Sequence, residues 1–158
     1  MPVSFEPRTE VLPKAQQEIW LPVMRAFTLF AALCLGLVLP TRGADDVAAA
    51  QGVIRAQMEA FSRDDAAAAY SYAAPEIQGI FPQADSFLGM VQRSYPPVYR
   101  HKSFAFGEAR VSGGQIAQRV HIIDASGEPW EALYTLERQP DGSLKIVGCV
   151  LLKAGQDV

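Results

Sequence analysis

The sequence predicts an α+β domain in which N-terminal helices lie on one face of a four-stranded antiparallel sheet. Three observations predict it. Apolar residues recur at helical spacing up to about residue 93, they alternate beyond "SYPPVYR", and three turn signals then follow at intervals of about 13 residues. Helices first and a strand meander afterwards is the order of an α+β architecture.

The helices can be justified in turn. Asp45-Asp46 place acids at a helix start, where they favour the macrodipole. From there Val47, Ala50, Ile54, Met58 and Phe61 form one apolar stripe that ends near Ser62. Asp64-Asp65 repeat the acidic start signal before the alanine run, which suits close backbone approach because alanine loses no side-chain entropy. Pro75 disfavours helical geometry at Ala74 and suits the first position of a new turn, "PEIQGIF". A further helix from about Asp85 through Arg93 buries Phe87, Met90 and Val91, and "YPPVY" reads as a rigid connection.

The strands follow. "KSFAFGEARV" sets Phe104 and Phe106 on one side, Gly113-Gly114 turn the chain, and "QIAQRVHIID" alternates again. Ser126-Gly127 are read as a two-residue loop before "EPWEALYTLER", and "QPDG" closes a third turn before "SLKIVGCVLLK". With that loop length Arg119 faces Tyr134, His121 faces Ala132 and Ile123 faces Trp130. Arg119, His121, Trp130 and Tyr134 then share one sheet face, opposite Glu131, Thr135, Val120, Ile122 and Leu133.

The chain has 158 residues, 49% hydrophobic and 20% charged, which fits one globular domain. Part of that apolar share lies in "MRAFTLFAALCLGLVLPTRGA", where Arg25 precedes an uncharged run from Ala26 to Thr41 and Thr41-Arg42-Gly43 offers a cleavage site. That is the grammar of a signal peptide over residues 24–43, too short in its apolar core for the ~20 residues of a spanning helix. Leu33 before Cys34 does not suit lipid attachment. The proline-rich residues 1–23 read as an extension upstream of the true start at Met24, and residues 44–158 as the mature domain, periplasmic or secreted. A membrane-anchored chain is the alternative; otherwise the membrane is met only through the signal segment before cleavage. The formal net charge is −3 and no basic stripe exists, so nucleic acid is not the partner. Cys149 alone survives processing, and one thiol forms no internal disulfide.

Taken together, "IRAQMEAFSRDD", "AYSYAAPEIQGIF", "FLGMVQRSYPPVYR", "QRVHIID" and "GCVLL" resemble a bacterial secreted family known as domain of unknown function 4864, over roughly residues 46–153. Ala74-Pro75-Glu76 is a small departure from the family's pattern. That family in turn resembles the cone-shaped fold of nuclear transport factor 2 and ketosteroid isomerase. The resemblance implies a curved sheet with helices across its concave side and a pocket between them. It implies no activity, because this fold hosts enzymes, binders and dimerisation modules alike.

Chemistry-bearing motifs are sparse. Asp64 and Asp65 are adjacent at a helix start and do not face each other. His101 and His121 lack a spaced carboxylate partner, "DASG" and "VSGG" are turns rather than nucleophile elbows, and Gly113-Gly114 lack the strand-to-helix context of a phosphate loop. No metal and no cofactor is expected. The leading expectation is a module that binds a small, partly apolar ligand or a protein partner. Tyr70, Phe87, Trp130 and Tyr134 would line its pocket, Arg119 with His121 would hold an anionic group, and Trp130 would stack. The alternatives are an isomerase or lyase pairing a carboxylate such as Glu131 with a tyrosine, and a homodimer joined through the open sheet face at Trp130. Half-exposed cross-strand pairs are the plain reading of the same sheet residues.

Overall fold

A computed structural model describes residues 42–155 as five helices followed by four strands. The expectations for residues 1–23 and for the signal peptide lie outside the described residues, except at the latter's last two positions. Helix α1 spans Arg42–Ser62, α2 Ala66–Ser71, α3 Pro75–Ile80, α4 Ala84–Ser94 and α5 Pro96–Tyr99. The strands β1 (His101–Ser112), β2 (Gln115–Asp124), β3 (Pro129–Arg138) and β4 (Leu144–Lys153) form one antiparallel sheet in the order β1-β2-β3-β4. The α+β class and its element order are as the sequence predicts. Within the segment read as a rigid connection, Pro96–Tyr99 form a short helix with Tyr95 before it, and His101 begins β1 with its ring edge-on to Phe104.

The α1 stripe supplies the centre of the core, since Ala50, Ile54, Met58 and Phe61 are buried and Val47 is half-buried at its start. They pack on the covered face of the sheet, where Val120, Ile122, Ala132, Tyr134 and Leu136 are buried. Chain reversal after α1 uses Asp64 at φ 56°, a left-handed conformation that aspartate tolerates. Its carboxylate accepts from the Tyr99 hydroxyl and pairs with Arg100, whose guanidinium also donates to the carbonyls of Phe61 and Ser62. Those two carbonyls sit at the end of α1, where the helical ladder runs out; the Asp64 amide also donates to Phe61 O, and Arg100 adds a donor to both. Asp65 caps α2 by accepting from the Ala68 amide.

The alanines let backbone meet backbone. Ala69, Ala73 and Ala74 are buried, and the chain at Tyr72–Ala74 runs beside β4, with Ile146 N donating to Tyr72 O and Ala74 N to Ile146 O. This single parallel bridge covers part of the edge of β4, a strand that would otherwise present open backbone groups.

Two turns share one geometry. The Asp124 amide donates to the Glu128 carbonyl and Gln139 to Ser143, each around a three-residue loop with glycine left-handed (Gly127, φ 92°; Gly142, φ 85°). The β2–β3 loop is therefore one residue longer than the two-residue Ser126-Gly127 reading, and the predicted pairing is corrected. Arg119 pairs with Leu133, His121 with Glu131, Ile122 with Trp130 and Gln118 with Tyr134. The physical reason is Asp124, whose Oδ1 accepts from the amides of Ser126 and Glu128 and from the Ser126 hydroxyl, pinning a wider loop. A one-residue slip sends a whole strand's side chains to the other face.

The sheet also departs from regular pairing. One extra residue enters β1 between Phe106 and Ala109, and another enters β4 at Val147, between Ile146 and Gly148. Such bulges bend a strand and raise its twist. The β4 bulge lies where the functional site forms.

Candidate functional site: a neutral cavity under the helices

Between the helices and β3–β4 lies a cavity of about 250 Å3. Helix α1 contributes Gln57 and Phe61, the α3 segment Ile77 and Phe81, and α4 Phe87 and Val91. The sheet side is Tyr134 and the run Ile146–Cys149. A regular strand gives only alternate residues to one face, whereas β4 brings four successive residues to the wall because it bulges there.

Phe87 organises the aromatic wall. Its ring lies 6.1 Å from Phe61, 5.7 Å from Tyr70 and 6.1 Å from Phe81, in tilted or edge-on arrangements favourable to aromatic pairs. Tyr70 itself stands behind the wall. Its hydroxyl donates to the Phe81 carbonyl at 2.6 Å, with the Gln78 carbonyl at 3.2 Å, while Gln78 Nε2 donates back to the carbonyls of Tyr70 and Ala73. These bonds fasten the α3 segment, which carries Ile77 and Phe81 into the wall.

No group in the wall carries charge at neutral pH. Its ionisable side chains are Tyr95, Tyr134 and Cys149. Burial pushes the Cys149 thiol up to about 12, raises Tyr95, and holds Tyr134 well above the usual phenol range. Tyr95 donates its hydroxyl proton to the Cys149 carbonyl. Gln57, itself buried, donates through Nε2 to Ala69 O. The Tyr134 hydroxyl, by contrast, is buried with no hydrogen-bond partner among the described residues. The Cys149 thiol opposite is close enough to act on its ionisation as a weak hydrogen-bonding neighbour, but sulfur is a poor partner and the pair falls outside the geometry of a full hydrogen bond.

Of the six residues the sequence singles out, Phe87 and Tyr134 meet in this cavity. Arg119 and His121 lie on the uncovered sheet face, where Glu131 Oε2 pairs with Arg119 and Oε1 lies 3.2 Å from His121 Nδ1. The expected cluster of Arg119, His121, Trp130 and Tyr134 is thus divided between two faces, a direct result of the loop length. Trp130 packs beside the core on the covered side, donates its Nε1 to Asp124 and has Lys153 over its ring at 5.7 Å. It lines a separate depression with Pro96, Pro97 and Leu151, so it is not a residue of the open face as the dimer alternative requires. Glu131 and Tyr134 point to opposite faces, and no carboxylate lines the cavity among the described residues. The pairing of Glu131 with a cavity tyrosine, which the isomerase alternative needs, is not assembled.

The sequence reading missed Gln57, Phe61, Phe81 and Cys149 as wall residues. Phe61 and Phe81 were open to reading as apolar residues at two helix ends. Nothing local foretells that Ile146–Cys149 line the wall together, because the bulge interrupts the alternation.

The geometry defines a small α+β domain with an uncharged cavity. A family model described as Domain of unknown function (DUF4864) matches residues 44–157, and the chain belongs to that family. Neither a curated protein nor a solved structure matched the chain.

Proposed function

We propose that this protein is an exported binding module whose cavity takes up a small, largely apolar molecule. The observation that carries the reading is the cavity itself, aromatic on its helix side and neutral throughout. Its volume of about 250 Å3 exceeds the ~150 Å3 that suffices to hold a benzene ring. Burying about 200 Å2 of ligand surface at about 25 cal/mol/Å2 contributes about 5 kcal/mol, so fragment-sized probes should bind with Kd values on the order of 0.1–1 mM. The helices-then-meander order with a cavity between the layers supports the resemblance to the cone-shaped transport-factor fold. Export is supported by the leader-like residues 24–43 and by a family match that begins at residue 44, where the expected mature chain begins.

Saturation-transfer NMR with toluene and indole on the full chain tests the reading, using Val91→Phe and Val98→Phe as cavity-filling variants. Transfer to the wild type that is lost in variants with native circular dichroism supports it. Transfer that persists unchanged in the filled variants would put binding elsewhere and defeat it.

A further inference from the structure

Tyr134 is the largest fully buried side chain of the domain, and its hydroxyl is its unexplained atom. A buried hydroxyl without a partner forfeits the hydrogen bond it had to water in the unfolded chain, and such groups are few in folded proteins. Phenylalanine would fill the same volume without leaving a polar atom unpaired. Two donors nearby are already engaged: Tyr95 donates to Cys149 O, and Gln57 Nε2 to Ala69 O.

We propose that the ligand of this cavity is an uncharged aromatic or cyclic molecule with a hydrogen-bond acceptor, such as a ketone, ester or ether oxygen, that takes the proton offered by the Tyr134 hydroxyl. The inference rests on the cavity being a binding site, and it adds the chemical class. An acceptor is required because a phenol held protonated serves best as a donor. Neutrality follows from the wall. A carboxylate or ammonium ion would lose its hydration among Phe61, Phe81, Phe87 and Val91 and find no opposite charge, since no charged side chain lines the cavity among the described residues and Arg119 and Glu131 pair on the far sheet face. The hydroxyl exposes almost no surface, so a wall side chain must shift before a ligand reaches it.

Three probes of nearly one shape separate the possibilities on the full chain: acetophenone, which carries an acceptor; cumene, which carries none; and benzoate, which is anionic. Kd values come from ligand-observed NMR titration of the wild type and of Tyr134→Phe. Acetophenone is expected to bind the wild type and to lose roughly tenfold in Tyr134→Phe, the size of one good hydrogen bond. Cumene should bind both forms equally, which also shows the variant's cavity to be intact. Benzoate should bind at least tenfold more weakly than acetophenone. Equal acetophenone affinity in both forms, or benzoate as the tightest ligand, overturns the proposed class and leaves the binding site standing. Failure of all three probes to bind overturns the site and the class together.

Discussion

Tyr134 and Cys149 face each other across the β3–β4 ladder, and both belong to the cavity wall. Neither is ionised at neutral pH, and the phenol lacks a partner. A polar pair is thus placed in an apolar chamber at a cost in stability that packing does not require.

That cost is measurable. Removing the hydroxyl in Tyr134→Phe should leave stability unchanged or raise it by about 1 kcal/mol, because it deletes an unsatisfied buried group and keeps the ring. Tyr134→Ala should instead cost about 3–5 kcal/mol through the cavity it creates. Urea denaturation of the three proteins checks both values, and a loss of more than about 1 kcal/mol in Tyr134→Phe would mean that the hydroxyl has a partner in the free protein.

Cys149 is only half-buried as a residue, but its place in the cavity wall should make it a slow thiol. With its ionisation pushed up to about 12, reaction with iodoacetamide at pH 8 should be far slower than for a free thiol and should accelerate on unfolding in urea. The linkage has a definite sign. The folded state holds this proton more tightly than the unfolded state, so its contribution is complete below about pH 9 and is lost as pH rises toward 12. Tyr134 acts in the same direction at higher pH. Cys149→Ala should therefore flatten the alkaline fall in melting temperature.

The β2–β3 loop should respond at the other end of the pH scale. Asp124 is held at about 2, first by the Ser126 hydroxyl, against desolvation that acts in the opposite direction, and then by the Glu128 amide, the Trp130 indole and the Ser126 amide. A depressed carboxylate contributes stability above its ordinary value near 3.8 and loses it as pH falls toward 2. Asp124→Asn should shrink the drop in melting temperature between pH 5 and pH 2. An identical acid profile in both proteins would remove Asp124 as the organiser of the loop.

Tyr70 fastens the cavity's aromatic lip. Tyr70→Phe removes the 2.6 Å bond to Phe81 O and should cost about 1 kcal/mol, with faster amide exchange confined mainly to α3 and Phe81. Uniform exchange changes across the sheet would contradict a local role.

On the uncovered face, a Cβ on Gly107 would lie 2.6 Å from His121 Nε2. Gly107→Ala should push the exposed imidazole off Glu131, seen as a changed His121 side-chain rotamer in NOE spectra, while costing under about 1 kcal/mol. NOEs between the His121 ring and Glu131 that persist unchanged in the variant would show that Gly107 does not make room for this contact.

Much of the fold was legible because its signals are local. The α1 stripe, Pro75 at the first turn of α3, and Gly113-Gly114 between paired Ser112 and Gln115 each need only their neighbours. The site was less legible because it depends on two one-residue irregularities. "DASG" contains the signal for the longer loop, since aspartate at its first position and glycine at its fourth suit a type I turn closed by a left-handed residue. Weighing Asp124 as a loop hub would have sent Trp130 and Tyr134 to the covered face and Arg119 to the other. The bulge at Val147 has no such signature, and with it goes the wall formed by Ile146–Cys149. Tyr70 and Phe87 were both expected in the pocket, but which of them meets the cavity is set by the fold of α3.

The most direct measurement is a set of intermolecular NOEs between acetophenone and the isotope-labelled full chain. NOEs from the ligand to Phe61, Phe87 and Val91, with the methyl ketone end nearest Tyr134, are the predicted result. NOEs absent from these residues, or gathered instead around Trp130 and Leu151 or on residues 24–43, would contradict a ligand site beneath the helices.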